Sequence, residues 1–513
     1  MLGKCFSAAV IGIDAFTVEI EANLTGTNSA MRESPVSIVG LPDAAVRESR
    51  DRVFSAFMTG GFVPPRNSIV VNLAPADLPK EGAAFDLGIA LGILGGAGEL
   101  DTERLREFAA VGELALDGTL RPVRGVLPIA DELARGGKVK ALVVPRENAR
   151  EAAFAAGGRI AVYSAGTLAE AVELIRSGKG IAVPPQDLRS AGTLCPLDFA
   201  DVKGQSAARR TLEIAAAGGH NTLLIGPPGT GKSMLASRLP GILPPMTLEE
   251  TLETSRIHSV LGMLSSGCPV LNDRPFRSPH HTISDAGLIG GGHNPKPGEI
   301  SLAHNGVLFL DEFPEFKRSA LEALRQPLEN GIVTVSRASG SCSFPAKFVL
   351  CAAMNPCPCG RGDAELGCTC RPDEKQRYLK KISGPLLDRI DMQTDVLQLS
   401  QDELLAAPNG ESSAVIRDRV VAARTLQQER FRGTGIRCNS GLSGRELQKW
   451  CRVSSAGELL LREAIRRFRM SPRAYDRVLK VARTIADLAG SAELKEEHLF
   501  EAVGYRRSKF LNQ

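Results

Sequence analysis

The stretch Gly226-Pro-Pro-Gly-Thr-Gly-Lys-Ser233 constrains this chain more than any other. It fits the pattern G-x-x-x-x-G-K-[ST] at every fixed position. The apolar run Thr222-Leu-Leu-Ile225 before it reads as a buried strand, and Met234-Leu-Ala-Ser-Arg-Leu239 after it reads as the first turns of a helix. Strand, glycine-rich turn and helix in that order predict a phosphate loop. Gly226, Pro227, Pro228, Gly229, Thr230 and Gly231 would form the cradle, because glycine lets backbone fold around an anion without Cβ clashes. Loop N–H groups and the helix N-terminus then face the phosphates. Lys232 would reach the β- and γ-phosphates of ATP, and Ser233 would bind Mg²⁺. The bland alternative, a glycine-rich turn that matches by chance, is opposed by Val307-Leu-Phe-Leu-Asp-Glu312 downstream. There four apolar residues predict a buried strand that ends in two carboxylates. Asp311 would hold Mg²⁺, directly or through water, and Glu312 would polarise the attacking water as general base.

Length and composition set the frame. At 513 residues the chain has room for about three domains, and 43% hydrophobic with 23% charged residues are globular values. One Trp and four Tyr do not advertise aromatic stacking on bases. Net charge is only +4, yet Trp450 to Gln513 holds thirteen Lys/Arg against eight Asp/Glu. A basic end suits a polyanion partner; a solvated helix face is the plainer reading. No run of roughly 18 apolar residues exists to span a membrane. The N-terminal Lys4 and Phe6 to Ile13 imitate a signal peptide faintly, but Asp14 and Glu19 interrupt, so a strand is expected. Eleven Cys without a secretory signal argue for a reducing cytosol.

The chain divides into four stretches. Residues 1–176 read as an α/β domain, with strand-like runs at Ala8–Ile13, Val36–Val39, Ser68–Leu73 and Ala141–Val144 and helical runs at Ala44–Met58, Phe85–Leu94, Ile129–Ala134 and Leu168–Ile175. Residues 177–197 carry linker-like Gly, Pro and Ser punctuation. Residues 198–398 hold the phosphate loop and the Asp-Glu strand. Residues 399–513 turn helical and charged, with helices expected at Val415–Arg430, Gly444–Cys451, Glu458–Phe468, Pro472–Ala489 and Lys495–Val503. Ser471 and Pro472 fit an N-cap and first helical position, which puts Arg473 in the first turn. A cation there opposes the helix dipole, a weak sign of an anionic partner. Cys357-Pro-Cys-Gly-Arg-Gly-Asp-Ala-Glu-Leu-Gly-Cys-Thr-Cys370 gathers four thiols in one short loop. Cys357, Cys359, Cys368 and Cys370 suit tetrahedral Zn²⁺, although C-x-C is tighter than the usual C-x₂-C, and free thiols or a redox pair stay open. His280-His281 suggests a metal, but neighbours on an extended chain point opposite ways, which argues against a two-ligand site.

Several of these motifs resemble known families. Val71 to Gly82, Phe85 to Leu91, and Arg124 to Ala130 leading to Val144–Asn148 resemble the Lon protease catalytic domain. Ala84 and Leu127 stand where that family has its Ser and Lys, so the resemblance implies the fold without the chemistry. The segment Asp198 to Gln205 resembles the one AAA+ ATPases place against adenine, with Val202 beside the base. Asn355 resembles the polar sensor that orients water, Arg389 the arginine finger supplied to a neighbouring subunit, and Arg473 the second sensor of the lid. For Arg389 a structural pair with Asp388 or Asp391 is the alternative. Pro275 to Gly292 resembles the magnesium-chelatase ATPase subunit, whose insertions imply a pore loop in which Arg277 or Lys296 would meet a polyanion. Taken together the chain resembles the magnesium-chelatase-like AAA+ group of YifB and ComM proteins over nearly its whole length. The resemblance implies an α/β fold: a P-loop AAA+ core with a helical lid, preceded by a Lon-protease-type α/β domain. It also implies ATP and Mg²⁺ as ligands, a homo-oligomeric ring of six, and DNA as partner, through a helicase activity in branch migration during natural transformation. Protein remodelling or chelatase-type metal insertion is the alternative.

Overall fold

The computed structural model describes residues 2–27, 36–185, 197–265, 267–292, 295–337, 340–362, 367–405, 410–468, 470–506 and 508. They form two compact units, one of Met1–Ala191 with Leu248–Leu271, the other of Gly192–Thr247 with Asn272–Gln513. Leu248–Leu271 thus groups with the first unit, although it lies in sequence between the phosphate loop and the Asp-Glu strand. Residues 186–196 of the 177–197 stretch lie outside the described residues.

In the first unit, β1 (Leu2–Ile11) and β2 (Asp14–Thr27) form an antiparallel hairpin in register from Leu2↔Asn23 to Ile11↔Asp14. Gly12 supplies the positive φ (66°) that this tight turn requires. With β3 (Val36–Val39), β4 (Asn67–Ala74), β5 (Phe108–Ala110), β8 (Ala141–Pro145) and β9 (Ala161–Ala165) they make one mixed sheet, ordered β3-β4-β2-β1-β5-β8-β9. A two-residue ladder, β6 (Glu113–Leu114) with β7 (Leu120–Arg121), stands apart. The helix Asp86–Gly96 is buried at every residue. It can lie this close to β1 because Gly3 faces it: a Cβ on Gly3 would collide with the backbone of Gly92 and Gly96. Asp86, buried at its start, is held by Arg52 Nε (2.6 Å), Ser49 Oγ (2.5 Å) and the Leu114 N–H (3.1 Å). Helices Ala44–Thr59, Val126–Gly136 and Leu168–Ser177 fall where hydrophobic spacing puts them.

The second unit is built on a five-stranded all-parallel sheet of β10 (Thr222–Ile225), β11 (Phe276–Arg277), β14 (Val307–Leu310), β17 (Val349–Met354) and β18 (Met392–Asp395), ordered β11-β14-β17-β10-β18. β10, β14 and β17 are buried at every residue, as continuous apolar runs in a parallel sheet must be. Two small ladders branch from it: β12 (Gly290–Gly291) with β13 (Lys296–Pro297), and the hairpin β15 (Ile332–Arg337) with β16 (Gly340–Pro345). Helices Ser413–Arg430, Gly444–Trp450, Ser455–Phe468, Pro472–Leu488 and Glu496–Gly504 make the C-terminal part. Among the described residues no helix is long and apolar enough to cross a membrane.

Candidate nucleotide site

The strand order decides the site. β17 lies between β10 and β14, so three parallel strands deliver three loops to one edge: the phosphate loop after Ile225, Asn355 after Met354, and Asp311-Glu312 after Leu310. Ligands of open parallel sheets bind at this carboxyl end. Gly229 (φ 78°) and Gly231 (φ 87°) take left-handed backbone, and the 11-residue helix Lys232–Ile242 begins at once. Lys232 Nζ lies 2.6 Å from Gly226 O, 2.8 Å from Pro227 O and 3.3 Å from Asn355 Oδ1. Burial lowers its pKa, with the Asp311 charge acting against that shift. Ser233 Oγ donates to Asp311 Oδ2 at 2.6 Å. A hydroxyl and a carboxylate converging this way form a hard oxygen donor set, which fits Mg²⁺.

Glu312 has left-handed backbone (φ 51°), and its carboxylate lies 2.9 Å from His281 Nδ1. The expected splaying of His280 and His281 is corrected here. Residues 281–282 form a turn rather than extended chain, and the two rings lie 4.1 Å apart. Each Nδ1 is engaged, His280 with Thr282 Oγ1 (2.9 Å) and His281 with Glu312, and among the described residues the side chains grouped closely enough to share a metal are the four cysteines of the 357–370 loop. Val202 is fully buried in an apolar cluster with Phe199 and Val396. Beside it Gln205 Nε2 reaches Leu397 O (2.7 Å) and Thr230 O (3.3 Å), tying this segment to the phosphate loop; sequence reasoning had passed over Gln205.

Arg389 pairs with neither Asp388 nor Asp391. Its Nη2 donates to Glu329 and its Nη1 to Pro385 O (2.8 Å). Asp391 is instead buried against Arg477, the Asn221 N–H (2.9 Å) and His220 Nδ1 (3.5 Å). Burial opposes ionisation there, but the neighbouring His220 and the Arg477 charge outweigh it and hold the carboxyl well below its usual range. Arg473 is exposed in the first turn of its helix, whose N-cap Ser471 accepts from the Ala474 N–H (3.2 Å). Arg277 forms a two-pronged ion pair with Glu299 (2.6 and 2.7 Å). Lys296 is exposed on β13.

The four cysteine Sγ atoms of the Cys357–Cys370 loop lie within 4.8 Å of one another. Cys357 is 3.3 Å from Cys359 and 3.6 Å from Cys368. Zn–S bonds of roughly 2.3 Å in a tetrahedron need sulfurs about 3.8 Å apart, so this set fits a Zn²⁺ ion. The loop abuts the nucleotide site: a Cβ on Gly360 would come within 2.8 Å of Pro228.

In the first unit, Ala84 sits in a single 3₁₀ turn and Leu127 is fully buried. The Leu127 N–H donates to Glu151 (3.1 Å) and Ser259 Oγ (3.3 Å). Burial raises the Glu151 carboxyl, and Ser259 donates to it.

A P-loop triphosphatase of the AAA+ type is the class that this sheet order and this edge define. The family model described as "Magnesium chelatase, subunit ChlI" matches residues 198–404, that described as "Subunit ChlI of Mg-chelatase" matches 25–148, and that for the ChlI C-terminal part matches 410–506. The competence protein ComM of Haemophilus influenzae is 44% identical over 98% of this chain and 97% of its own. The YifB protein of Salmonella typhimurium is 43% identical over 97% of this chain and 96% of its own. A probable DNA helicase, MCM9 of Arabidopsis thaliana, is 26% identical over 42% of this chain and 27% of its own. The chain belongs to the magnesium-chelatase ChlI-like AAA+ family, as a homologue of ComM and YifB.

Proposed function

We propose that this chain is the subunit of a cytosolic ATP-driven ring, a hexameric motor that moves branched DNA during recombination of incoming strands. The observation that carries the reading is the meeting of Lys232, Ser233, Asp311, Glu312 and Asn355 at one sheet edge. Lys232 would bind the β- and γ-phosphates, Ser233 and Asp311 would hold Mg²⁺, and Asn355 would orient the water from which Glu312 takes a proton. Bound Mg²⁺ supplies neutralisation of charge on the phosphate oxygens. Arg389 would act on the γ-phosphate held by an adjoining subunit, and Arg473 would reach the γ-phosphate from the lid. Val202 would lie against the base, and Cys357, Cys359, Cys368 and Cys370 would hold structural Zn²⁺. The first unit is read as a Lon-protease-type domain without its dyad, because Ala84 and Leu127 offer neither nucleophile nor base.

The DNA part of the reading is supported by the kinship with a competence protein and with a probable DNA helicase. ATP turnover with and without forked DNA, with mass measured in nucleotide, tests it. The expected result is a ring whose turnover rises on DNA and falls with salt. Turnover indifferent to both single-stranded and forked DNA would remove DNA as the substrate.

A further inference from the structure

Glu329 is the last acidic residue of the short helix Arg325–Asn330, and half of its side chain faces solvent. Among the described residues it carries the one carboxylate that Arg389 contacts. Arg389 is more than nine-tenths buried, and its Nε, also buried, has no hydrogen-bond partner among the described residues. Its backbone is fixed too: Arg389 O accepts from Asn221 Nδ2 at 3.3 Å. The guanidinium therefore has a rigid stem, one exposed counter-charge at its head, and a donor to spare. Glu329 is depressed chiefly by Arg389, and the charges of Arg473 and Arg325 act on it as well. Arg325 is itself paired with Glu322 (2.9 Å). One carboxylate thus pairs with Arg389 and also lies within the field of Arg473, the two candidate phosphate-binding arginines.

We propose that Glu329 is a positioning residue for hydrolysis in the adjoining subunit, holding the planar Arg389 guanidinium at the subunit edge in the orientation that meets a neighbour's γ-phosphate. This rests on the reading of Arg389 as a group that acts in trans. A guanidinium loses little freedom per bond when its fork is already oriented. An unpaired one would have to be ordered during each turnover. Gln326, on the same short helix, donates to Thr334 Oγ1 of β15 at 3.2 Å, so displacement of the β15–β16 hairpin would move Glu329 and reset that orientation.

The test uses the full-length chain. Glu329→Ala should lower kcat at least about tenfold while ATP KM changes by less than about threefold, because the group acts on the transition state and not on ground-state binding. Glu329→Gln, which can still accept a hydrogen bond, should retain a measurable part of the rate. The deciding arm mixes subunits. Lys232→Ala subunits lack their own site but keep Arg389 and Glu329; Glu329→Ala subunits keep their own site. Assembled together in nucleotide, two inactive proteins should regain turnover at the mixed interfaces, as Arg389→Ala with Lys232→Ala should. Wild-type turnover in Glu329→Ala, or no regain where the Arg389→Ala mixture regains, would overturn the proposal. A wild-type chain that hydrolyses ATP as a monomer would overturn it together with the trans reading of Arg389, and a wild-type chain that hydrolyses no ATP would show that the proposed function itself has failed.

Discussion

His281 Nδ1 lies 2.9 Å from a carboxylate oxygen of Glu312, so the group assigned as general base is tied to the start of the segment that carries β12 and β13. The ring is set edge-on to Phe316, 6.4 Å between centroids. A carboxylate engaged this way is less free to take a proton from water. His281→Ala should raise turnover without DNA about fivefold, the equivalent of one hydrogen bond of about 1 kcal/mol, and shrink the stimulation by DNA. His281→Gln should stay close to wild type. Steady-state rates with and without DNA check this; an unchanged basal rate in His281→Ala would remove the restraint.

Lys232→Ala should weaken ATP binding at least about tenfold, since a charge-assisted hydrogen bond contributes roughly 1.5–3 kcal/mol. Equilibrium titration with a fluorescent ATP analogue measures it. Affinity equal to wild type would take Lys232 out of the phosphate contacts.

Removing metal should act through Pro228. Cys359→Ser with Cys368→Ser leaves two thiols, too few for a closed structural site. Metal content by plasma mass spectrometry should fall from about one Zn per chain to below about 0.3, and turnover should fall with it because Gly360 packs on the phosphate loop. Wild-type protein that holds no zinc or other metal would refute the site.

Asp391 gives a stability prediction with a sign. Its folded pKa is depressed, so its contribution is complete above the ordinary carboxylate range near pH 4 and is lost as pH falls toward the depressed value. Asp391→Ala strands the Arg477 charge and should cost about 3–5 kcal/mol. The variant should melt lower than wild type at pH 7, with the gap narrowing in acid. Equal melting at pH 7 would contradict it.

Much of this was legible from local pattern. β10 and β14 are short, wholly buried and followed by unmistakable polar groups, so burial pattern and motif agree. Ser471-Pro472 announced a helix start that the Ala474 hydrogen bond matches. The contacts that were missed span long separations. Glu329 and Arg389 are sixty residues apart, and nothing local marks that glutamate. His281 was noticed, and a two-ligand metal site argued against, but its contact with Glu312 on a separate segment was not seen. The attachment of Leu248–Val260 to the first unit rests on Arg256 with Asp131 and Ser259 with Glu151, pairings more than a hundred residues apart that no window of sequence contains.

The central claim is that a triphosphate is gripped beside Lys232 and cleaved with the help of Glu312. Glu312→Gln measures it most directly, by ATP binding and multiple-turnover hydrolysis on the same preparation. The account predicts binding close to wild type and turnover lower by about 10²–10⁴. Turnover at the wild-type rate would contradict it.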